Sequence, residues 1–279
     1  MPYIEIDEDH ILPNSFTIAF EMSFHTDQRT LFSGYGWVLL QDDKDAYIMT
    51  TSQVIRHIKN HQRKCDRSHP EQIPTIKLFG KNYMVESFQI EVTTDGEFVA
   101  VMSDEESVLD YAVLRLKTTQ SLFKPVLQRS EHSPAFGDKV YIPDPKKSFG
   151  STYAGDVINY PEHLVEWLKF KASSDRRKLV KGIPTLSCKR DIDWDKVEEQ
   201  SVALIYHRPS AMMFHETSFG LPLIDEDDKV VGMLSVCVRL IDSEAGEEPF
   251  VCFNICLDKI IQDITRKNPV LARKLFTDD

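Results

Sequence analysis

Two groups of side chains in this sequence have the types and spacing that chemistry uses. His57, His61, Cys65 and His69 recur at every fourth position, which brings imidazoles and a thiol toward one face of a continued helix. Donors of that kind bind zinc. Arg56, Lys59, Arg63, Lys64 and Arg67 are interleaved with them, however, and Pro70 ends the run. A solvated basic segment accounts for this composition. Neither a Cys-x-x-Cys pair nor a local glutamate reinforces the metal reading, so no metal is expected at these four residues. The second group is His215 and Ser218, a proton acceptor and a hydroxyl nucleophile by type, separated by two residues.

The elements that must position these groups are mostly strands. Residues 15–23 are β-rich and read as a first strand. Residues 33–41, a polar turn through Asp42 to Lys44, and residues 46–52 read as a hairpin whose second strand is buried. Residues 74–79, 83–93 and 98–102 read as further strands, with Asp95-Gly96 as a hairpin turn between the last two. Residues 117–133 are polar and contain proline, which marks a linker between two halves. In the second half, strands are expected over 136–143, 151–158, 201–207, 229–239 and 250–254, with apolar spacing at Leu257, Ile260, Ile261 and Ile264 marking a terminal amphipathic helix.

The segment 161–200 departs from this β pattern. Leu164, Trp167, Leu168 and Phe170 suggest a short amphipathic helix, and a charged loop around Trp194 follows. An insertion of this size exceeds the usual connections of compact domains, which makes it functional or flexible. Leu164, Trp167, Leu168 and Trp194 are therefore the candidate partner-binding residues.

Three regions carry a resemblance to a known family. Residues 48–55, Ile-Met-Thr-Thr-Ser-Gln-Val-Ile, follow a Gly-Tyr-Gly-Trp strand and hairpin; residues 110–116 read Asp-Tyr-Ala-Val-Leu-Arg-Leu; and residues 217–223 read Thr-Ser-Phe-Gly-Leu-Pro-Leu before an acidic hairpin and a strand. In this order they resemble the histidine, aspartate and serine regions of trypsin-like serine proteases, of the intracellular and HtrA type. The resemblance implies an all-β fold of two six-stranded antiparallel β-barrels, 1–120 and 121–279, with a partly helical insertion at 161–200 and a C-terminal helix at 256–267.

It also implies a degenerate triad. Gln53 stands at the histidine position, Asp110 at the aspartate position and Phe219 at the serine position. A carboxamide does not titrate near neutrality, and a phenyl ring cannot attack a carbonyl. Thr217 stands where the oxyanion loop carries glycine, and a β-branched residue resists the backbone geometry that glycine tolerates. Asp110 without an adjacent histidine is expected to cap its turn or to accept a hydrogen bond from Gln53, because buried carboxylates need partners. His57 lies one helical turn beyond Gln53, too far to take over as base. A one-residue shift that made Ser218 the nucleophile, with His215 as base, breaks the Gly-x-Pro-Leu register.

The expectation is thus a pseudoprotease and not an enzyme: a protein-binding or scaffold subunit without a cofactor, with an active hydrolase using Ser218 and His215, or a nucleic-acid adaptor using Arg56 to Arg67, as alternatives. With 33 basic against 44 acidic residues, the net charge of −11 argues against broad binding to nucleic-acid phosphates. No stretch reads as a secretion signal or a membrane span, and five cysteines form no dense disulfide framework. These features place the expected protein in the cytoplasm or nucleus, away from membranes. A chain with 42% hydrophobic and 10% aromatic residues can fill the cores that such a fold requires.

Overall fold

The buried framework begins at the β-hairpin of residues 36–50. The structure, a computed structural model, describes residues 20–26, 29–52, 55–56, 75–81, 87–93, 98–104, 107, 109–117, 127–135, 137–143, 152–158, 201–206, 220–239 and 250–277. Among them β3 (Gly36–Gln41) pairs antiparallel with β4 (Asp45–Thr50). The turn between them is made by Asp42, whose Oδ1 accepts the backbone N–H groups of Lys44 at 2.8 Å and Asp45 at 2.7 Å. A short carboxylate that bonds its own chain two and three residues on is what makes aspartate a turn residue. All of β4 is buried, so it reads as an apolar run rather than as an alternation.

Among the described residues the chain is mostly β, with two helices at its C-terminal end. β1 (Phe20–Thr26), β2 (Arg29–Gly34), β5 (Thr75–Lys81) and β6 (Ser87–Thr93) form a four-stranded sheet in the order β2-β1-β5-β6. β3, β4, β7 (Val99–Met102) and β8 (Ala112–Lys117) form a second, in the order β3-β4-β8-β7. The remaining strands are β9 (Lys139–Pro143), β10 (Thr152–Ile158), β11 (Ser201–Tyr206), β12 (Pro222–Ile224), β13 (Val230–Arg239) and β14 (Phe250–Cys256). They close into a barrel in the order β10-β11-β14-β13-β12-β9.

The second half therefore contains one closed six-stranded barrel, and the first half, among the described residues, consists of two four-stranded sheets. That differs from the expected pair of six-stranded barrels. β6 pairs with β5 while β7 pairs with β8, so the two strands expected to form a hairpin about Asp95-Gly96 belong to different sheets; that turn itself lies outside the described residues. The first strand runs to Thr26, further than the sequence pattern indicated, and is followed by β2, of which that pattern caught only Ser33 and Gly34, as the start of the next strand. The stretch read as a linker is also partly built into the barrel, because Val230 N–H donates to Gln128 O at 2.8 Å and Ser130 N–H to Val230 O at 2.9 Å.

α1 (Leu257–Lys267) follows β14 directly, and α2 (Pro269–Phe276) follows after one residue. Asp258 in the first turn of α1 and Arg266 and Lys267 in the last complement the helix dipole. Asn268 ends α1 and begins α2: its N–H donates to Ile264 O at 2.7 Å, and its side chain accepts from Leu271 N–H at 3.0 Å. Pro269 then occupies the first helical turn, where no N–H is missed.

The apolar faces of both helices enter a core shared by the two halves. Leu257, Ile260, Ile264, Leu271, Leu275 and Phe276 pack into one buried cluster with Trp37, Tyr47, Met49, Tyr111 and Val113 from the first half and Val230, Met233 and Ile255 from the barrel. At about 1.5–3 kcal/mol for each large apolar side chain removed from water, this wedge contributes substantially to holding the halves in register. No helix among the described residues is long and apolar enough to cross a membrane.

Candidate functional site

The turn after β4 brings the first piece of the site. Thr51 and Ser52 are fully buried, and Thr50 Oγ1 donates to the backbone oxygen of Tyr35 at 2.8 Å, tying the end of β4 to the start of β3. Ile55 is buried behind this turn, and Arg56 donates to Asp104 O at 3.0 Å. The second piece is the entry to β8. Ser103 and Tyr111 exchange hydrogen bonds: Ser103 N–H donates to Tyr111 O at 2.9 Å, and Tyr111 N–H donates to Ser103 Oγ at 3.3 Å. The two strand ends are thereby stitched together, and Asp110 is held inward at 2% exposure.

Ser52 Oγ donates to Asp110 Oδ1 at 2.5 Å. Both groups are buried, where a hydrogen bond is worth more than its counterpart in water. The sequence marked Asp110 as a carboxylate that needs a donor and named Gln53, which lies outside the described residues; Ser52, one residue earlier, donates to it. Its hydroxyl was the available signal, since it stands in a helical turn beside a strand that ends in buried residues.

The third piece is Gly220, where φ is +94°. A β-carbon on Gly220 would stand 2.1 Å from Tyr35 O and 3.2 Å from Thr50 Oγ1, so only glycine allows this approach. Gly220 N–H donates to Leu234 O at 2.9 Å, and Leu234 N–H returns a bond to Leu221 O at 2.9 Å, which fixes the start of β12 on β13. The chain then turns through the acidic hairpin. There Asp225 Oδ1 accepts Asp227 N–H at 3.0 Å and Lys229 N–H at 2.9 Å, and Asp228 takes the left-handed conformation at φ +62°. Asparagine and aspartate tolerate that conformation better than other side chains with a Cβ.

The structure thus brings the turn at Thr50–Ser52, the acid Asp110 and the glycine Gly220 to one place at the meeting of the two halves. Gln53 and Phe219, the other two triad-like positions, lie outside the described residues, as do His215 and Ser218. The candidate zinc ligands His57, His61, Cys65 and His69 lie outside them too, and so do Leu164, Trp167, Leu168 and Trp194. Among the described residues no group of three or more His, Cys, Asp or Glu side chains could hold a metal ion.

A second polar cluster, which the sequence did not mark, lies on the C-terminal side of Asp110. Tyr111 Oη donates to Asp263 Oδ2 at 2.7 Å, and Asp263 also receives Arg266 at 2.5 Å and Lys267 at 3.0 Å. Burial works to raise the Asp263 pKa, but the hydrogen bonds from Tyr111, Arg266 and Lys267 outweigh it and hold the carboxyl below its usual range. Burial, and then the bond to Asp263, push the Tyr111 phenol far above its ordinary range. Cys256, at the junction of β14 and α1, is a free buried thiol whose pKa burial raises to about 12, which disfavours the thiolate.

No protein-family model matches the sequence, and no curated protein matches it. Among solved structures, kallikrein-related peptidase 10 aligns over 88% of this chain and 93% of its own, with 10% identity and a TM-score of 0.44, and its complex with Zn2+ aligns with the same figures. The inactive form of the Rv3671c protease aligns over 90% of this chain and 88% of its own, with 14% identity and a TM-score of 0.43. These neighbours are trypsin-like serine proteases. The expectation that the chain is not an enzyme is corrected by this finding: the neighbours are peptidases and proteases, and two replaced residues in a sequence resemblance do not exclude catalysis by other groups.

Proposed function

We propose that this chain is a protein-binding subunit of an intracellular assembly, cytoplasmic or nuclear, on a trypsin-like frame of the HtrA type. The observation that carries the reading is the buried bond from Ser52 to Asp110. In the resembled family the aspartate region orients a histidine. Here that carboxylate accepts a neighbouring serine hydroxyl inside the frame, glutamine follows at position 53, and phenylalanine stands at position 219. Retention of the frame around a changed site favours use of its surfaces. The insertion 161–200 offers the partner-facing residues Leu164, Trp167, Leu168 and Trp194, aromatic and aliphatic anchors of the kind that dominate interface energetics.

Affinity capture from the native cell tests this, with the intact chain beside a variant in which Leu164, Trp167, Leu168 and Trp194 are all alanine. One stoichiometric partner retained by the intact chain and lost by the variant is expected. The same proteins captured equally by both would contradict the assignment of the surface, and no stoichiometric partner at all would contradict the function. Binding and turnover are separate properties here: fluorophosphonate labelling of Ser218 reads the second and leaves the first to the capture experiment.

A further inference from the structure

Asp110 and Tyr111 are adjacent in the chain and reach opposite ways. Asp110 bonds the turn at Ser52, and Tyr111 bonds Asp263 on α1. A second route joins the same two places. Lys267 Nζ donates to Met102 O at 3.1 Å and lies 3.1 Å from Asp104 Oδ2, while Arg56, on the turn, donates to Asp104 O at 3.0 Å and Ser103 O at 3.4 Å. The segment 102–104 is therefore gripped by a helix cation on one side and a turn cation on the other. The paired bonds between Ser103 and Tyr111 join the two routes into one network.

We infer that α1 is a clasp that sets the turn carrying Ser52, with Asp263 and Lys267 as positioning residues acting through Tyr111 and Asp104. The inference is independent of partner binding. Its physical basis is the chain of buried bonds from Ser52 to Asp110, between Ser103 and Tyr111, and from Tyr111 to Asp263, where such contacts are directional and costly to break. The contacts of Lys267 and Arg56 with Asp104 lie at its exposed edge. Apolar burial of Leu257, Ile260 and Ile264 seats the helix on the core but does not direct Asp110 or Arg56. Undocking the end of α1 releases the turn, so whatever engages this helix is coupled to the site at the meeting of the two halves.

Hydrogen exchange on the full chain tests the clasp through Lys267→Met and Tyr111→Phe, with Lys274→Met as control. Lys274 belongs to the same helix pair, but its ion pair is with Asp42 at 2.7 Å, in the β3–β4 turn. The amides of Ser52, Ile55, Arg56 and Ser103 are expected to exchange about tenfold faster in Lys267→Met and Tyr111→Phe, the effect of losing one buried polar contact. Those of Val230 to Ser235 and those of the control are expected to stay within about twofold of the parent. Unchanged exchange at Ser52 and Arg56 in folded variants would overturn the inference, as would an equal rise in the control or throughout β13. If Tyr111→Phe does not fold, Lys267→Met alone decides, and Lys267→Arg must restore protection.

Discussion

Ser52 and Asp110, 58 residues apart, meet through a 2.5 Å hydrogen bond in a place with no access to water. The contact closes the turn after β4 against the entry to β8, and both strands lie side by side in one sheet. Gly220 arrives from the barrel half to rest against the same strand end. The site is thus a joint first, and its chemistry depends on how that joint is set.

The joint makes a sharp prediction for two glycines with similar backbones. Gly137 has φ +92° and open space where a β-carbon would stand, whereas Gly220 has φ +94° and the Tyr35 carbonyl at 2.1 Å. Gly137→Ala is expected to cost about 1–2 kcal/mol, the penalty of a left-handed backbone alone. Gly220→Ala adds a clash with backbone that cannot step aside and is expected to cost about 3 kcal/mol or more. Urea unfolding of the two variants checks this, and equal losses would contradict the close approach.

Acid should loosen the C-terminal helices. Hydrogen bonds, chiefly from Tyr111, hold the Asp263 carboxyl below its ordinary pKa against the opposing effect of burial, and the Lys274 side chain, with the Lys44 backbone amide, lowers Asp42 to about 2. A carboxylate that binds its proton less readily when folded stabilises the protein above the unfolded pKa. That contribution is lost as the pH falls through the folded value, in a window from about 4 downward. Urea titrations between pH 5 and 2.5 should show a shallower loss of stability for Asp263→Asn than for the parent. Asp42→Asn should change the slope less, since an exposed pair is screened by solvent and salt. Identical slopes in Asp263→Asn and the parent would contradict this role for Asp263.

Much of the frame was legible in the sequence, because strand pairing follows burial patterns that local residues write plainly. The β3–β4 hairpin, β8, β10, β11 and β13 announce themselves by apolar runs and polar turns, and α1 by the spacing of Leu257, Ile260 and Ile264. Sheet membership was not legible: nothing in Asp95-Gly96 says that β6 and β7 part company. The Tyr111 to Asp263 contact spans 152 residues, beyond any local signal. A hint existed in Asp263 itself, a carboxylate on the apolar stripe of α1, which burial tolerates only beside a donor. The serine at 52 was overlooked because the resemblance drew attention to position 53, and nothing local says that its hydroxyl meets an acid 58 residues away.

The account turns on Asp110 being bound into the frame, and a double-mutant cycle between Ser52 and Asp110 measures this most directly. Ser52→Ala, Asp110→Asn and the double variant are compared with the parent by urea unfolding at pH 7. A buried hydrogen bond between these two side chains predicts a coupling of about 1–3 kcal/mol, with the double variant much less destabilised than the sum of the singles. Strictly additive losses, with a coupling within about 0.3 kcal/mol of zero, would contradict it and return Asp110 to the pool of side chains available for other chemistry.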